Sequence, residues 1–579
     1  MELDFTEKVQ EGILAHQKGD LEKAEVIYKS VLKVQPWHPD ANHNLGILAE
    51  GINQLALALK LFRTALRANS DVEQFWLSYI NALIKAEYFE TVKIAFEQIK
   101  IRQMDVEKFE NLISTQGLNK EDKKTLNSDS IQDASLELVA LYDTGKYIES
   151  ERQALLFIEK DPQHYLGWKM LGAASRKIGN DIQAQVAYKK LTNLSPLDSE
   201  AHYNLANTFR SMNNFPSARD SYKRAIELKT GFFQAQSNLA ISYMELGDVE
   251  RAIEVLKKTI VSSPNFAEAV FNLAVILAWS HDLQEQLKAL EHTIIVDPDN
   301  YGLIAGIHLS ICYFLENDFA TSQRFLSASR DILLKNAAEY ESDKIFYGFL
   351  RLLLQWRDDN DRLVAPNNVS KVLHVLGESH SFSHHGLQIE NFSGTTLIKA
   401  QFIRGVKQWH LRDSALNRFK YRFEGVFLSL PKCSLVLLAI GEIDCRIDSG
   451  IFKRHKRFPQ TDIADIISST IDGYLSYILE LNASCEHKII VQGVPCPNII
   501  TKGIAVDEYW RFVEFIKTFN FELENRVRGS ALQFLDVHKL TDRGDGVSNE
   551  IWHIDRYHLS PEGAKEAWSR FTPIDEAQH

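Results

Sequence analysis

Across most of the first 336 residues apolar positions recur at helical spacing, and through four units from residue 165 the pattern repeats every 34 residues. Residues 165–198 carry Trp168, Leu171, Gly172, Gly179-Asn180, Ala184, Tyr188 and Pro196. The next unit carries Leu205, Ala206, Asn213-Asn214, Ala218, Tyr222 and Ala225. Then come Leu239, Ala240, Gly247-Asp248, Ala252 and Pro264, and after them Leu273, Ala274, Asp282, Leu290 and Pro298. A period of this length predicts antiparallel helix pairs stacked into an array. Small residues such as Gly172, Ala206 and Ala240 let paired helices approach. Gly179 and Gly247 end the first helix, since glycine takes the left-handed cap without strain. The prolines stop the second helix.

The same pattern runs upstream through Gly12, Gly19-Asp20, Ala24, Tyr28 and Pro36, then Leu45, Gly46, Ala58 and Phe62, and more weakly through Trp76, Ala95 and Phe96. The whole set resembles the tetratricopeptide repeat family. The resemblance implies a superhelical array (an α-helical solenoid) over residues 1–106 and 134–336. It also implies a protein or peptide partner on the concave surface. A spacer or an oligomerisation scaffold is the alternative. Residues 107–133, with the polar run Asn119 to Lys124, read as a linker or irregular insertion. The last unit, about 301–336, contains a slip of two residues. Within 337–365, the apolar run Ile345 to Trp356 predicts a capping helix before a linker.

From about Asn368 the pattern changes. Lys371 to Leu376, Leu435 to Ile440, Lys488 to Val494 and Leu532 to Val537 read as buried strands. Ile463 to Leu481 and Val506 to Arg526 have helical spacing between them. Strands alternating with helices predict a three-layer α/β domain with a mainly parallel sheet over 366–572, then a tail at 573–579. The ligand crevice of such a sheet lies beyond the carboxyl ends of its strands. Ser379, Gly441 to Arg446, Pro495 to Asn498 and the later Asp555 to His558 are placed to converge there.

Composition narrows the function classes. The net charge is −12, which argues against a nucleic-acid partner. The basic run Phe452 to Arg457 reads as a solvated loop or a local anion site. Five scattered cysteines with no paired spacing read as reduced thiols of a cytoplasmic protein. The acidic start Met1 to Phe5 lacks a signal-peptide pattern, and no apolar stretch is long enough to predict a membrane span.

The residue types past the strands suggest nucleophilic catalysis. A serine hydroxyl needs a histidine to take its proton, and the histidine needs a carboxylate to orient it. Ser379 falls in a strand-to-helix turn, and Asp555 and His558 lie three apart. The first block, Gly377-Glu378-Ser379-His380-Ser381, and the last, Asp555-Arg556-Tyr557-His558-Leu559, resemble those of the SGNH/GDSL hydrolase superfamily. That resemblance implies a flavodoxin-like three-layer domain, with Ser379 as nucleophile, His558 as base and Asp555 as its partner. It assigns the oxyanion glycine to Gly405, with Gly394 as runner-up. Glu378 departs from the usual Asp of the first block. The third block aligns as Gly441-Glu442-Ile443-Asp444, so Ile443 replaces the usual oxyanion asparagine. Losing one such donor costs on the order of 3 kcal/mol of transition-state stabilisation. Arg446 is a candidate replacement.

Each of these residues also has a plainer reading. Ser379 would cap the following helix, and His558 would be a buried histidine with a backbone partner. Asp444 and Arg446 would be a structural ion pair rather than substrate-binding groups. Cys445 and Cys496 read as small buried hydrophobes. The turn holding His380, His384 and His385 matches no zinc spacing, and neither metal nor cofactor is expected. The combined expectation is an ester hydrolase or acyl transferase. Its substrate would be a small acyl ester or an O-acetylated glycan, and the array would dock a partner. The alternative is a weak or inactive SGNH-like binding domain in a scaffold protein.

Overall fold

The computed structural model describes residues 5–69, 71–86, 92, 95–96, 99, 104–105, 108–109, 128–280, 282–329, 341–360, 369–392, 394–457, 461–499 and 504–573. Most of the expected insertion at 107–133, and of the tail at 573–579, lies outside them. The helix Ser128–Asp143 already begins inside that insertion.

The repeat expectation is met in detail. Helices start at Tyr165, Ser199, Phe233, Ala267 and Tyr301, and each is followed by a second starting at Asp181, Phe215, Val249, Leu283 or Phe319. The last first-helix, Tyr301–Leu315, has 15 residues against 13 in Tyr165–Lys177, which locates the two-residue slip. Gly179, Asn213, Gly247 and Asn317 turn the chain within their pairs at φ of 57 to 80°. The small positions make room for rings. A Cβ on Gly172 would lie 2.7 Å from the Tyr188 ring, and one on Gly46 would lie 2.6 Å from Phe62. Among the described residues no helix is long and apolar enough to cross a membrane.

The chain forms two compact units, Met1–Thr230 and Gly231–His579. The division falls between two repeats and not at the change of pattern near residue 366. In the first unit Tyr28, Phe62, Trp76 and Ile80 build an apolar core. In the second, the later repeats and the sheet region are packed together. Arg418 reaches Glu245 at 2.6 Å, and Arg422 donates to the Ser280 carbonyl at 2.5 Å. Trp279 meets Phe419 edge-on, with centroids 5.3 Å apart.

The sheet has six strands in the order β2-β3-β1-β4-β5-β6. These are β1 Lys371–Gly377, β2 Gln388–Ile389, β3 Thr396–Phe402, β4 Leu435–Ala439, β5 Lys488–Gln492 and β6 Gln533–Leu535. All neighbours are parallel except the short edge strand β2. Val436, Leu437, Leu438 and Ala439 of β4 are all buried, so both faces of the sheet are covered there. The continuous apolar runs marked β1, β4, β5 and β6. They missed β3, where Leu397, Lys399 and Gln401 alternate with more buried residues. That alternation was the available signal for a strand.

Gly377 ends β1 opposite Ala439 of β4. A Cβ there would sit 2.3 Å from the Ala439 carbonyl oxygen. Gly377→Ala is therefore expected to force the two strands apart and to cost about 1–3 kcal/mol. A lowered midpoint in urea unfolding would register it.

Candidate active site

At the carboxyl edge of the sheet, Glu378, Ser379 and His380 turn the chain into the four-residue helix Ser381–His384. The turn is closed by Ser381 N donating to the Glu378 carbonyl at 2.9 Å and Phe382 N donating to that of Ser379 at 3.1 Å. The cap position is His380, with no side-chain cap bond. Ser379 is thus not committed to capping, and its hydroxyl faces other groups.

The second part comes from the loop before the helix Pro561–Arg570. Asp555 Oδ1 accepts the N–H groups of Tyr557 at 2.8 Å and His558 at 2.7 Å, folding the loop so that both side chains meet. Asp555 Oδ2 lies 2.7 Å from His558 Nδ1, and His558 Nε2 lies 2.7 Å from Ser379 Oγ. Burial works against the charge on Asp555. The His558 ring and the two N–H donors outweigh it and hold the carboxyl well below the usual range. Three residues from two distant segments thus form one hydrogen-bonded chain.

Glu378 adds a feature that motif reading did not foresee. Its Oε2 accepts from Ser379 Oγ at 2.5 Å, and its Oε1 lies 2.6 Å from His380 Nδ1. Burial opposes both charges of this pair, but their mutual attraction prevails. Glu378 is lowered to about 2 and His380 raised to about 9. His380 Nε2 in turn donates to the Tyr557 carbonyl at 2.9 Å. The pair therefore ties the Ser379 turn to the Asp555–His558 loop. The serine hydroxyl has one proton and two acceptors facing it.

The remaining candidates separate. Gly405, at φ 68°, follows β3 at the same edge, where Ile403 N bonds to the Gly377 carbonyl at 2.8 Å. Gly394 precedes β3 and lies beside Ser370, at the opposite edge from Ser379. Gly441 follows β4 at φ 146°, close against Gln408. Asp444 is a correction. It is fully buried, and its carboxylate caps the helix Gln408–Arg412 by accepting Gln408 N at 2.8 Å and Trp409 N at 3.2 Å. Burial pushes it up to about 6. Arg446 does not pair with Asp444 either. It grips Glu442 through Nε and Nη2 at 2.7 to 2.9 Å and lies over the Tyr557 ring at 4.6 Å. Ile443 sits in the short 3₁₀ turn Ile443–Cys445. A small cleft of about 30 Å³, open to solvent, is lined here by Cys445, Arg446, Val494, Phe512, Arg556 and Tyr557. The basic run, expected as a loop, is instead the helix Gly450–Arg457, with Lys456 paired to Glu508.

Among the described residues, two groups bring metal-ligating atoms within 4.8 Å of one another. In Glu378, His380 and His558 every such nitrogen already has a protein partner. In Cys496, His538 and Asp542, burial pushes the thiol up to about 12, and it donates to the His538 carbonyl at 3.4 Å. The histidines after Ser379 diverge. His384 contacts Gln492 and Trp568, and His385 accepts Ala400 N.

Comparison with protein families matches tetratricopeptide repeats at residues 199–231 and 237–297. Similar solved structures include PilW, a type IV pilus biogenesis factor, at 14% identity. That match covers 38% of this chain and 99% of that one, with a TM-score of 0.33. A MamA structure matches at 22% identity over 30% of this chain and 94% of that one, with a TM-score of 0.28. MamA from Desulfovibrio magneticus RS-1 matches at 14% identity over 30% and 95%, with a TM-score of 0.27. No curated protein matches the sequence. The helix pairs at residues 199–231 and 237–297 are tetratricopeptide repeats.

Proposed function

We propose that the chain is a serine-dependent ester hydrolase or acyl transferase of the SGNH/GDSL type. One observation carries this reading: the hydrogen-bonded chain from Ser379 Oγ through His558 to Asp555, each link 2.7 Å. The strand order supports it. Without the short edge strand β2, the parallel order β3-β1-β4-β5-β6 is the flavodoxin-like one, with the serine past its first strand.

In this reading His558 Nε2 takes the Ser379 proton as Oγ attacks the ester carbonyl. The oxyanion is held by the backbone N–H groups of Ser379 and Gly405. The C–O bond then breaks, and the leaving alcohol takes the proton from His558. Water, or a second alcohol in a transferase, repeats the steps in reverse to free the acyl group. The substrate is a small acyl ester or an O-acetylated glycan. The tetratricopeptide repeats supply the scaffold for a protein or peptide partner in the cytoplasm.

The test is covalent labelling by a fluorophosphonate. The expected result is one label on Ser379, absent in Ser379→Ala, together with acetate release from p-nitrophenyl acetate. Absence of both in the wild-type chain would sink the reading. A second reading, an inactive binding domain on a repeat scaffold, is favoured by Ile443 at the position of an oxyanion donor and by Glu378 competing for the serine proton.

A further inference from the structure

The helix Glu341–Asp359 closes the repeat array, and its buried face also reaches the candidate site. Phe349, on this helix, is 1% exposed. Its ring lies flat on the His558 imidazole, with centroids 3.8 Å apart and planes 14° from parallel. Further contacts tie the helix to the sheet region. Asp343 accepts from Arg404 at 2.6 Å, Phe346 meets Phe402 edge-on, Trp356 donates to Glu562, and Arg357 donates to the His385 carbonyl. Ile311, Phe314 and Phe349 share one apolar core with Phe382, and Ile554 packs against it. Phe382 lies three residues past Ser379, and Ile554 immediately precedes Asp555.

Two hydrogen bonds hold His558 by its nitrogens. Imidazole nitrogens donate and accept in the plane of the ring, so two such bonds leave the ring free to rock about the line joining them. A flat aromatic face removes that freedom and keeps water off the imidazole. Its negative quadrupole also favours the imidazolium that forms when the serine proton is taken. We propose that Phe349, on the helix that caps the repeat array, is a positioning residue for the sheet region's reaction, holding the His558 ring in the plane that joins Asp555 to Ser379. This rests on the serine-ester reading above. The catalytic centre is then built by both halves of the chain.

The test uses the full-length chain with p-nitrophenyl acetate and the fluorophosphonate. Phe349→Leu keeps apolar bulk and removes the flat ring. Its kcat and labelling rate are expected to fall roughly 10- to 100-fold, as for a misplaced catalytic group. KM should stay within about twofold, since ground-state binding is untouched. Phe349→Met is the second variant should Phe349→Leu not fold, and the same loss is expected. Leu326→Ala, in the same core on another helix, should lower the unfolding midpoint and leave kcat unchanged. Wild-type kcat and labelling in a variant lacking the ring overturn the proposal and leave the serine reading standing. An equal loss of kcat in Leu326→Ala also overturns it, because the rate would then follow core stability and not the ring. A wild-type chain that neither hydrolyses nor labels removes the serine reading and this proposal together.

Discussion

On the proposed serine-ester reading, His558→Ala is expected to slow ester cleavage by roughly 10⁴-fold or more, the scale of removing the base from a serine-histidine-carboxylate unit. Only His558 Nε2 and Glu378 Oε2 face the Ser379 hydroxyl at hydrogen-bonding distance among the described residues. Glu378 is a poor substitute base. It is held ionised near 2 by His380, so it has little affinity for a proton. Asp555→Ala should also cost roughly 10⁴-fold, because the tautomer and orientation of His558 depend on the 2.7 Å bond to Asp555. The double variant should be no slower than His558→Ala alone, since the residues act as one unit. Additive losses in steady-state kcat/KM would mean that His558 and Asp555 work separately.

The second large effect concerns stability. His380→Ala removes one partner of a fully buried ion pair and strands the Glu378 carboxylate, 1% exposed. Breaking such a pair costs about 3–5 kcal/mol, a large share of a typical domain's stability of roughly 5–15 kcal/mol. The pair also sets a pH window. The folded His380 titrates at about 9 against an ordinary 6.5. Its contribution is therefore full below 6.5 and is lost as pH rises through about 9. Glu378 titrates at about 2 against 4.5. Its contribution is full above 4.5 and fades as pH falls towards 2. Urea midpoints of the wild-type chain should therefore decline between pH 6.5 and 9. In His380→Ala that segment should be flat. An equal decline in both chains would show that another group titrates.

The array was legible because its constraint is local and repeated. Each unit needs a small residue where a ring from its partner helix lies, as Gly172 does for Tyr188, and a left-handed residue in the turn. Both leave marks at fixed spacing. The buried central strands were legible as apolar runs. Strand β3 was not, because it alternates and lies next to the edge strand. Ser379, Asp555 and His558 were singled out by residue type and chain order, and the fold brings them together. Asp444 and Arg446, read as either an ion pair or substrate-binding groups, do not pair with each other. Spacing two apart cannot show that one carboxylate turns inward to cap a helix while Glu442, four residues before Arg446, takes the guanidinium.

Periodicity marked Phe349 as one apolar position in a capping helix. It carried nothing about what the helix would cover, and pattern reading placed a boundary near residue 366. Folding instead set that helix against His558 and joined the repeats from residue 231 onward to the sheet region in one unit. Patterns within a segment are dictated by short-range sterics and burial, so they can be read along the chain. Contacts between segments depend on which apolar faces finally meet, and the Glu378–His380–Tyr557 bridge and the Phe349–His558 stack arise only there.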